Sequence, residues 1–149
     1  MTITVRPAIA DDLPALRALF LNSRRETFAW QPPDVFQLAD FDTQTQGELL
    51  LVAEDGSGRL SGFISVWEPD GFIHHLHVDR QFFRRGVGRA LLRVLPGWPE
   101  TRYRLKCLRL NEVALAFYRT CGFVEIGSGM SGDGEYLLLE SGSESDSIV

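Results

Sequence analysis

The segment from residue 48 to residue 79 most constrains the fold, because it holds three strand patterns in succession with only short turns between them. The three patterns read ELLLVAED, RLSGFISVWE and FIHHLHVD, and the turns are Gly56-Ser57-Gly58 and Pro69-Asp70-Gly71. Glycine, proline, serine and aspartate in such positions are typical of tight turns. The segment therefore predicts an antiparallel meander of three strands.

Other elements precede this meander. TITVRPA alternates like a strand, and Asp11-Asp12-Leu13-Pro14 is typical of a helix start. The apolar residues that follow are spaced for one helical face, and they are Leu13, Leu16, Leu19 and Phe20. Pro32-Pro33-Asp34 interrupts the chain and predicts a second short helix through Phe36 and Leu38.

Helices and strands alternate after the meander. An apolar run behind Gly88 predicts a short helix that Pro96-Gly97 ends. YRLKCLRL then predicts a strand, NEVALAFYRTCGF a helix, and FVEIGS and EYLLLE two strands joined by a glycine-rich loop. Antiparallel hairpins before and after helical crossovers predict an α/β (α+β) fold. Its single domain has a mixed, mostly antiparallel central sheet flanked by about four helices.

Composition limits the class of protein. A chain of 149 residues with 44% apolar residues suits one domain, which we place at residues 1–140, and the polar stretch 141–149 is expected to be a disordered tail. The net charge of −5 argues against nucleic-acid binding. No run suits a membrane span and no signal-peptide pattern opens the chain. Cys107 and Cys121 are too few for a disulfide framework, so we expect a cytoplasmic protein.

The stretch FFRRGVGRALL, residues 82–92, combines two glycines with three arginines at the start of a helix. Free N–H groups at a helix start, close backbone approach at glycine and nearby cations together favour an anion such as phosphate. The alternative is a basic turn without a ligand. A dinucleotide-binding fingerprint is excluded because the third glycine is missing. A nucleoside-triphosphate loop is excluded because the only lysine of the chain is Lys106.

Three features together resemble the GNAT superfamily of N-acetyltransferases, and they are LHVDRQFFRRGVGRALL, Asn111 and ALAFYRTCGF. The resemblance implies acetyl-coenzyme A as co-substrate and direct attack of a primary amine on its thioester. It also implies that the strand backbone at Leu76, His77 and Val78 pairs with the pantetheine arm. The remaining cofactor-binding residues that it implies are Arg84, Arg85, Gly86, Val87, Gly88, Arg89 and Asn111.

Tyr118 is the candidate general acid. It follows Asn111 by seven residues, about two helical turns, so both side chains can face one cleft, and Asn111 is a natural N-cap. From the residues alone, Tyr118 is as well explained as a core tyrosine whose hydroxyl binds backbone. The resemblance implies that it protonates the departing thiolate of coenzyme A.

The candidate base lies in HHLH, which places three histidines on one strand. Alternation puts His75 and His77 on one face and His74 on the other, unless a bulge intervenes. The resemblance implies that His74 faces the substrate, and His75 is the second choice. Structural histidines, with proton loss through water or through Glu26 or Glu68, remain the alternative.

The acceptor side has weaker candidates. The resemblance places a variable acceptor loop around Arg24, Arg25, Glu26 and Trp30, although a solvated helix end explains both arginines as well. Residues that can line the rim are Trp67, Glu68, Asp70 and Tyr136. No spacing suggests a metal site or a thiol nucleophile.

We therefore expect an N-acetyltransferase that acts on a small-molecule amine, as a monomer or homodimer, without nucleic-acid or membrane partners. The alternatives are a non-catalytic module that binds coenzyme A or another phosphate ligand, and an acetyltransferase for a protein N-terminus or lysine.

Overall fold

The computed structural model describes residues 2–142. Its strands are β1 (Thr4–Pro7), β2 (Leu49–Glu54), β3 (Leu60–Trp67), β4 (Phe72–Val78), β5 (Arg104–Leu108), β6 (Phe123–Ser131) and β7 (Gly134–Ser141). Its α-helices are α1 (Leu13–Thr27), α2 (Asp40–Thr45), α3 (Val87–Arg93) and α4 (Glu112–Thr120). Both the predicted meander and the C-terminal hairpin are present.

All seven strands form one sheet in the order β1-β2-β3-β4-β5-β7-β6. Every neighbouring pair is antiparallel except β4 and β5, which are parallel. The predicted α/β (α+β) class, with a mixed and mostly antiparallel sheet, is confirmed. Among the described residues, β4 and β5 pair only at Phe72 and Arg104, so the sheet opens beyond that position.

Helices cover both faces of the sheet. The larger core lies under α3 and α4 and includes Ile64, Ile73, Leu91, Leu105 and Leu137. A smaller core lies under α1 and α2 and includes Leu16, Phe20, Phe41, Val52 and Phe63. Alternate residues of β2 and β3 supply the two cores, as the period of a strand requires. We call these the α3/α4 face and the α1/α2 face.

The prediction for the second helix was wrong. Phe36 and Leu38 lie outside any α-helix, since residues 33–35 form a single 3-10 turn and α2 begins only at Asp40. The Asp40 carboxylate accepts a hydrogen bond from Gln37 N at 2.9 Å and fixes the approach to α2. A side chain that hydrogen-bonds the preceding backbone favours a turn over a continuing helix.

The last strand runs one residue further than the expected domain boundary. Ser141 is fully buried in β7, and its hydroxyl accepts a hydrogen bond from Tyr103 N at 2.7 Å. Residues 143–149, which hold the rest of the expected tail, lie outside the described residues. Between residues 2 and 142, no helix is both long and apolar enough to cross a bilayer.

Candidate active site

The opening between β4 and β5 is the centre of the candidate site. The outer edge of β4 pairs with β3 and the outer edge of β5 pairs with β7, while the two inner edges meet only at Phe72 and Arg104. The side chains of Leu76 and Val78 pack against the α3/α4 core, whereas His77 points to the α1/α2 face. The inner backbone edge of β4 is therefore available to an extended ligand, as the predicted role of residues 76–78 requires.

A β-bulge sits on β4 at His74. Ser65 pairs with His75, but the next residue of β3, Val66, pairs with Ile73, so His74 is the extra residue. The rings of His74 and His75 stack with centres 4.4 Å apart although the residues are adjacent in sequence. Simple alternation is thus broken, and His74 lies on the same face as His75.

His74 is paired with a buried carboxylate. Its Nδ1 lies 2.8 Å from Glu48 Oε2, and the Glu48 side chain is only 6% exposed while that of His74 is 46% exposed. An Nδ1–H that donates to the carboxylate leaves Nε2 as a free proton acceptor on the reachable side of the ring. Sequence reasoning missed Glu48, because only the folded sheet brings it next to a residue 26 positions away.

The rings of His75 and His77 pack under α1 and are only partly exposed. Phe20 packs edge-on against both rings, and His77 Nδ1 shares a hydrogen bond with Ser23 Oγ at 2.7 Å. Burial, with smaller contributions from His77, His74 and Arg24, lowers the pKa of His75 to about 2. Burial and then Arg24 lower the pKa of His77 to about 4. Both rings are therefore neutral packing groups at neutral pH.

Tyr118 lies on the opposite face of the sheet from His74. It is 9% exposed in the α3/α4 core, with its ring edge-on to Phe117 and Phe123. Burial, followed by the neighbouring Cys107 and Cys121, raises its pKa above the ordinary tyrosine value. Its hydroxyl is therefore protonated at neutral pH, the state that a proton donor needs.

The predicted anion turn has an unusual backbone. Arg84 and Gly86 both have positive φ, +63° and +82°, and Gly86 is the N-cap of α3. A left-handed conformation costs a non-glycine residue such as Arg84 about 1–3 kcal/mol, a strain that often marks a functional turn. A Cβ at Gly86 would meet no atom within 4 Å, so the space beside it is open.

Gly88 has a different purpose. A Cβ there would lie 2.8 Å from Phe117 Cζ, so this glycine allows α3 to pack against α4. Arg84 and Arg85 are exposed, while Arg89 Nη2 donates to Thr120 Oγ1 at 3.3 Å. Val87 is buried in the core. Gly86 and the exposed arginines, more than Gly88, therefore form the open surface of the predicted anion turn.

Asn111 is the N-cap of α4, as predicted. Its Oδ1 accepts a hydrogen bond from Ala114 N at 3.2 Å. The side chain is partly exposed, and as the N-cap it lies at the start of the helix that carries Tyr118.

The loop between α1 and α2 is fixed by the two arginines. The alternative of a solvated helix end is wrong for Arg24, which is 8% exposed, lies 3.9 Å from the centre of the Phe20 ring and donates to Asp40 at 3.1 Å. Arg25 donates to Pro33 O and Phe36 O. Both guanidinium groups donate hydrogen bonds to acceptors in the loop, as is usual for buried or bridging arginine.

Comparisons with known proteins agree with this architecture. The Acetyltransferase (GNAT) family pattern matches residues 13–123. An uncharacterized N-acetyltransferase, YesJ of Bacillus subtilis, is 32% identical over 89 residues, which are 51% of this chain and 46% of YesJ. The match thus spans about half the length of that curated relative.

Solved structures show the same fold. PaiA N-acetyltransferase from Thermoplasma acidophilum, solved in complex with coenzyme A, has a TM-score of 0.76 at 20% identity, over 95% of this chain and 99% of PaiA. Apo YjaB from Escherichia coli has a TM-score of 0.76 at 21% identity, over 96% of this chain and 99% of YjaB. With the family pattern matched across most of its length, this chain belongs to the GNAT family of acetyltransferases.

Proposed function

We propose that the protein transfers acetyl from acetyl-coenzyme A to the primary amine of a small molecule, by direct attack on the thioester. The observation that carries the proposal is the opening between β4 and β5, with His74 on one face of the sheet and Tyr118 on the other. A thioester bound in that opening is accessible to a proton acceptor from one face and a proton donor from the other.

The residues around the opening fit the cofactor. The inner edge of β4 at Leu76, His77 and Val78 offers backbone groups to the amides of the pantetheine arm. The turn at residues 84–89 offers open space at Gly86, uncapped N–H groups and exposed arginines to the pyrophosphate. Asn111 Oδ1 is engaged as a cap, which leaves its Nδ2 as the donor for the arm. Acetyl-coenzyme A supplies the acetyl group in activated form.

Two side chains account for the proton transfers of the reaction. The amine must lose a proton, and His74 Nε2 accepts it while Glu48 holds the ring and stabilises the cation. The new C–N bond forms as the C–S bond breaks, and Tyr118 donates its hydroxyl proton to the departing sulfur. Water then restores the proton to Tyr118 and removes one from His74.

Gln31, in the loop after α1 where the acceptor site is expected, donates to Asp133 at the tip of the β6–β7 hairpin, so this loop is bridged to a distant segment. A bridged loop favours a small acceptor over a protein segment. Fold alone does not select the acceptor, since the similar structures include a ribosomal-protein-S18-alanine N-acetyltransferase and a spermidine N-acetyltransferase chimera.

Cys107 and Cys121 form no disulfide, which supports a reducing compartment such as the cytoplasm.

The test is acetyl-dependent release of free thiol with a panel of primary amines, together with calorimetric binding of coenzyme A. Tyr118→Phe removes one hydroxyl and keeps the ring, so we expect turnover to fall by about 10²-fold or more with coenzyme A affinity unchanged. A chain that binds coenzyme A but acetylates no amine is a binding module. Equal turnover in Tyr118→Phe would remove this residue from the mechanism.

A further inference from the structure

Lys106 is placed beside the candidate site, although the proposed reaction gives it no role. It is the only lysine of the chain and lies in the middle of β5, where it pairs with Leu138 of β7. Its neighbours Leu105 and Cys107 are buried in the α3/α4 core. Because strand residues alternate, the exposed Lys106 side chain is on the α1/α2 face, the face that carries His74.

Aromatic rings hold the ammonium group in this position. Lys106 Nζ lies 4.9 Å from the centre of the Tyr136 ring and 6.0 Å from that of Phe72, within the range of cation–π attraction. The Phe72 ring in turn lies 6.3 Å from the ring of His74. The Phe72 ring therefore contacts both Lys106 and the candidate base His74.

The strand geometry explains this closeness. Phe72 and Arg104 form the ladder position that joins β4 to β5, and both Lys106 and His74 follow it by two residues. They are the first side chains on this face beyond the point where the strands separate. Lys106 and His74 thus flank the mouth of the opening in which the thioester is proposed to bind.

No ion pair within residues 2–142 balances the charge of Lys106. Arg104, on the same strand and face, pairs with Glu140 at 2.9 Å. In contrast, Lys106 is in none of the ion pairs formed within residues 2–142. An acceptor without an anionic group would bring its own ammonium toward this cation, whereas an acceptor carboxylate would neutralise it.

We propose that Lys106 binds a carboxylate of the acceptor, so that the acceptor is an amino acid or a similar amino-carboxylic acid, with its apolar part against Phe72 and Tyr136. This inference rests on the proposed acetyl transfer. It makes Lys106 a specificity-determining residue, while His74 and Tyr118 handle the protons.

The first test compares the standard L-amino acids with their α-amides as acceptors, by kcat/KM. The wild-type protein should prefer the acid of its best pair by at least about fivefold, the value of one partly exposed ion pair. Lys106→Met keeps the length and apolar stem of the side chain and should lose this preference. Arg104→Met is the matched control and should keep it, because that guanidinium already has Glu140 as partner. Equal use of acid and amide by the wild type, or an unchanged preference in Lys106→Met, would overturn the proposal.

A second readout does not depend on turnover. A protein labelled with ¹³C at lysine Cε gives a single side-chain signal from position 106. N-acetyl-L-phenylalanine, a product analogue with a carboxylate, should shift this signal in the presence of coenzyme A, whereas its amide should not. If neither compound shifts the signal, the proposed carboxylate site is wrong. A shift in a protein that acetylates no amine would instead refute the proposed function and leave the anion site standing.

Discussion

At the scale of single residues, environment separates three histidines that look equivalent in sequence. His74 has a carboxylate on one nitrogen and a reachable ring. His75 and His77 lie against Phe20, and burial lowers the pKa of each far below the ordinary value. A base needs access to substrate as well as a free nitrogen, so the geometry favours His74.

Exchange of the histidines tests this assignment. We expect His74→Ala to lower kcat/KM by about 10²-fold or more on the plateau of the pH–rate profile and by less on its acid side, because a general base is inactive once it is protonated. His75→Ala should keep the shape of the profile and lower the melting temperature, because its ring fills space beside Phe20. Steady-state rates across pH, measured with one acceptor, separate the two outcomes.

Glu48 provides a finer test of the same site. Glu48→Gln keeps a hydrogen-bond acceptor for Nδ1 but removes the charge that stabilises a protonated His74, so kcat/KM should fall, although by less than in His74→Ala. The double variant with His74→Ala should lose no more than His74→Ala alone. Additive losses would show that Glu48 acts independently of the histidine.

Local signals fixed some residues in advance and not others. The N-cap role of Asn111 follows from its position before an apolar helical run, and the structure confirms it. Arg24 could not be placed from its sequence neighbours, because its partner Asp40 is 16 residues away. Glu48 likewise gains its contact with His74 only when β2, β3 and β4 form one sheet.

At the scale of elements, the strands and most helices follow from their periodicity, but the bulge does not. The bulge depends on how β3 and β4 pair, a property of two strands together that neither shows alone. The second helix failed for a related reason. Two prolines and the hydrogen bond from Gln37 N to Asp40 favour a turn, so the helix begins only at Asp40.

The glycine turn before α3 can be tested as an element. Gly86→Ala should cost about 1–2 kcal/mol through its φ of +82° and also weaken coenzyme A binding, since its Cβ enters the open space. Gly58→Ala is a matched control, with a φ of +85° and equally open surroundings in the β2–β3 turn. It should lose similar stability and leave the affinity for coenzyme A unchanged.

Melting curves and coenzyme A titrations on both variants give the comparison. Gly88→Ala is unsuitable as a probe of the cofactor, because its Cβ would press on Phe117 and disturb the packing of α3 on α4. Full coenzyme A affinity in Gly86→Ala would place the anion site elsewhere than the 84–89 turn.

At the scale of the molecule, the sheet is two antiparallel units joined at one ladder position. β1 to β4 form one unit and β5 to β7 the other. The sequence analysis identified the mixed sheet and the family, but the place where the sheet opens follows from how far β5 diverges from β4. Local patterns carry no information on that divergence, so the relation of His74, Lys106 and Tyr118 across the opening emerged only in the assembled fold.

The interface between α1 and this sheet makes stability depend on pH. His75 and His77 lie under α1, and their pKa values of about 2 and about 4 are below the ordinary value of 6.5. Between pH 6.5 and pH 4, these two histidines therefore bind protons in the unfolded chain but stay mostly neutral in the folded chain. The free energy of unfolding should be unaffected by these groups above pH 6.5. Below it, that energy should fall by up to about 1.4 kcal/mol per pH unit for each ring.

Urea unfolding at several pH values from 7.5 to 4.5 measures this loss. The carboxylates with lowered pKa, Asp12, Asp40, Asp42 and Asp55, titrate below the ordinary value of 3.8 and contribute little in this window. His77→Gln should reduce the slope of the unfolding free energy by about half, because one of the two imidazoles with a lowered pKa is removed. An equal slope in the wild type and His77→Gln would mean that the imidazole under α1 accepts its proton without opening the interface.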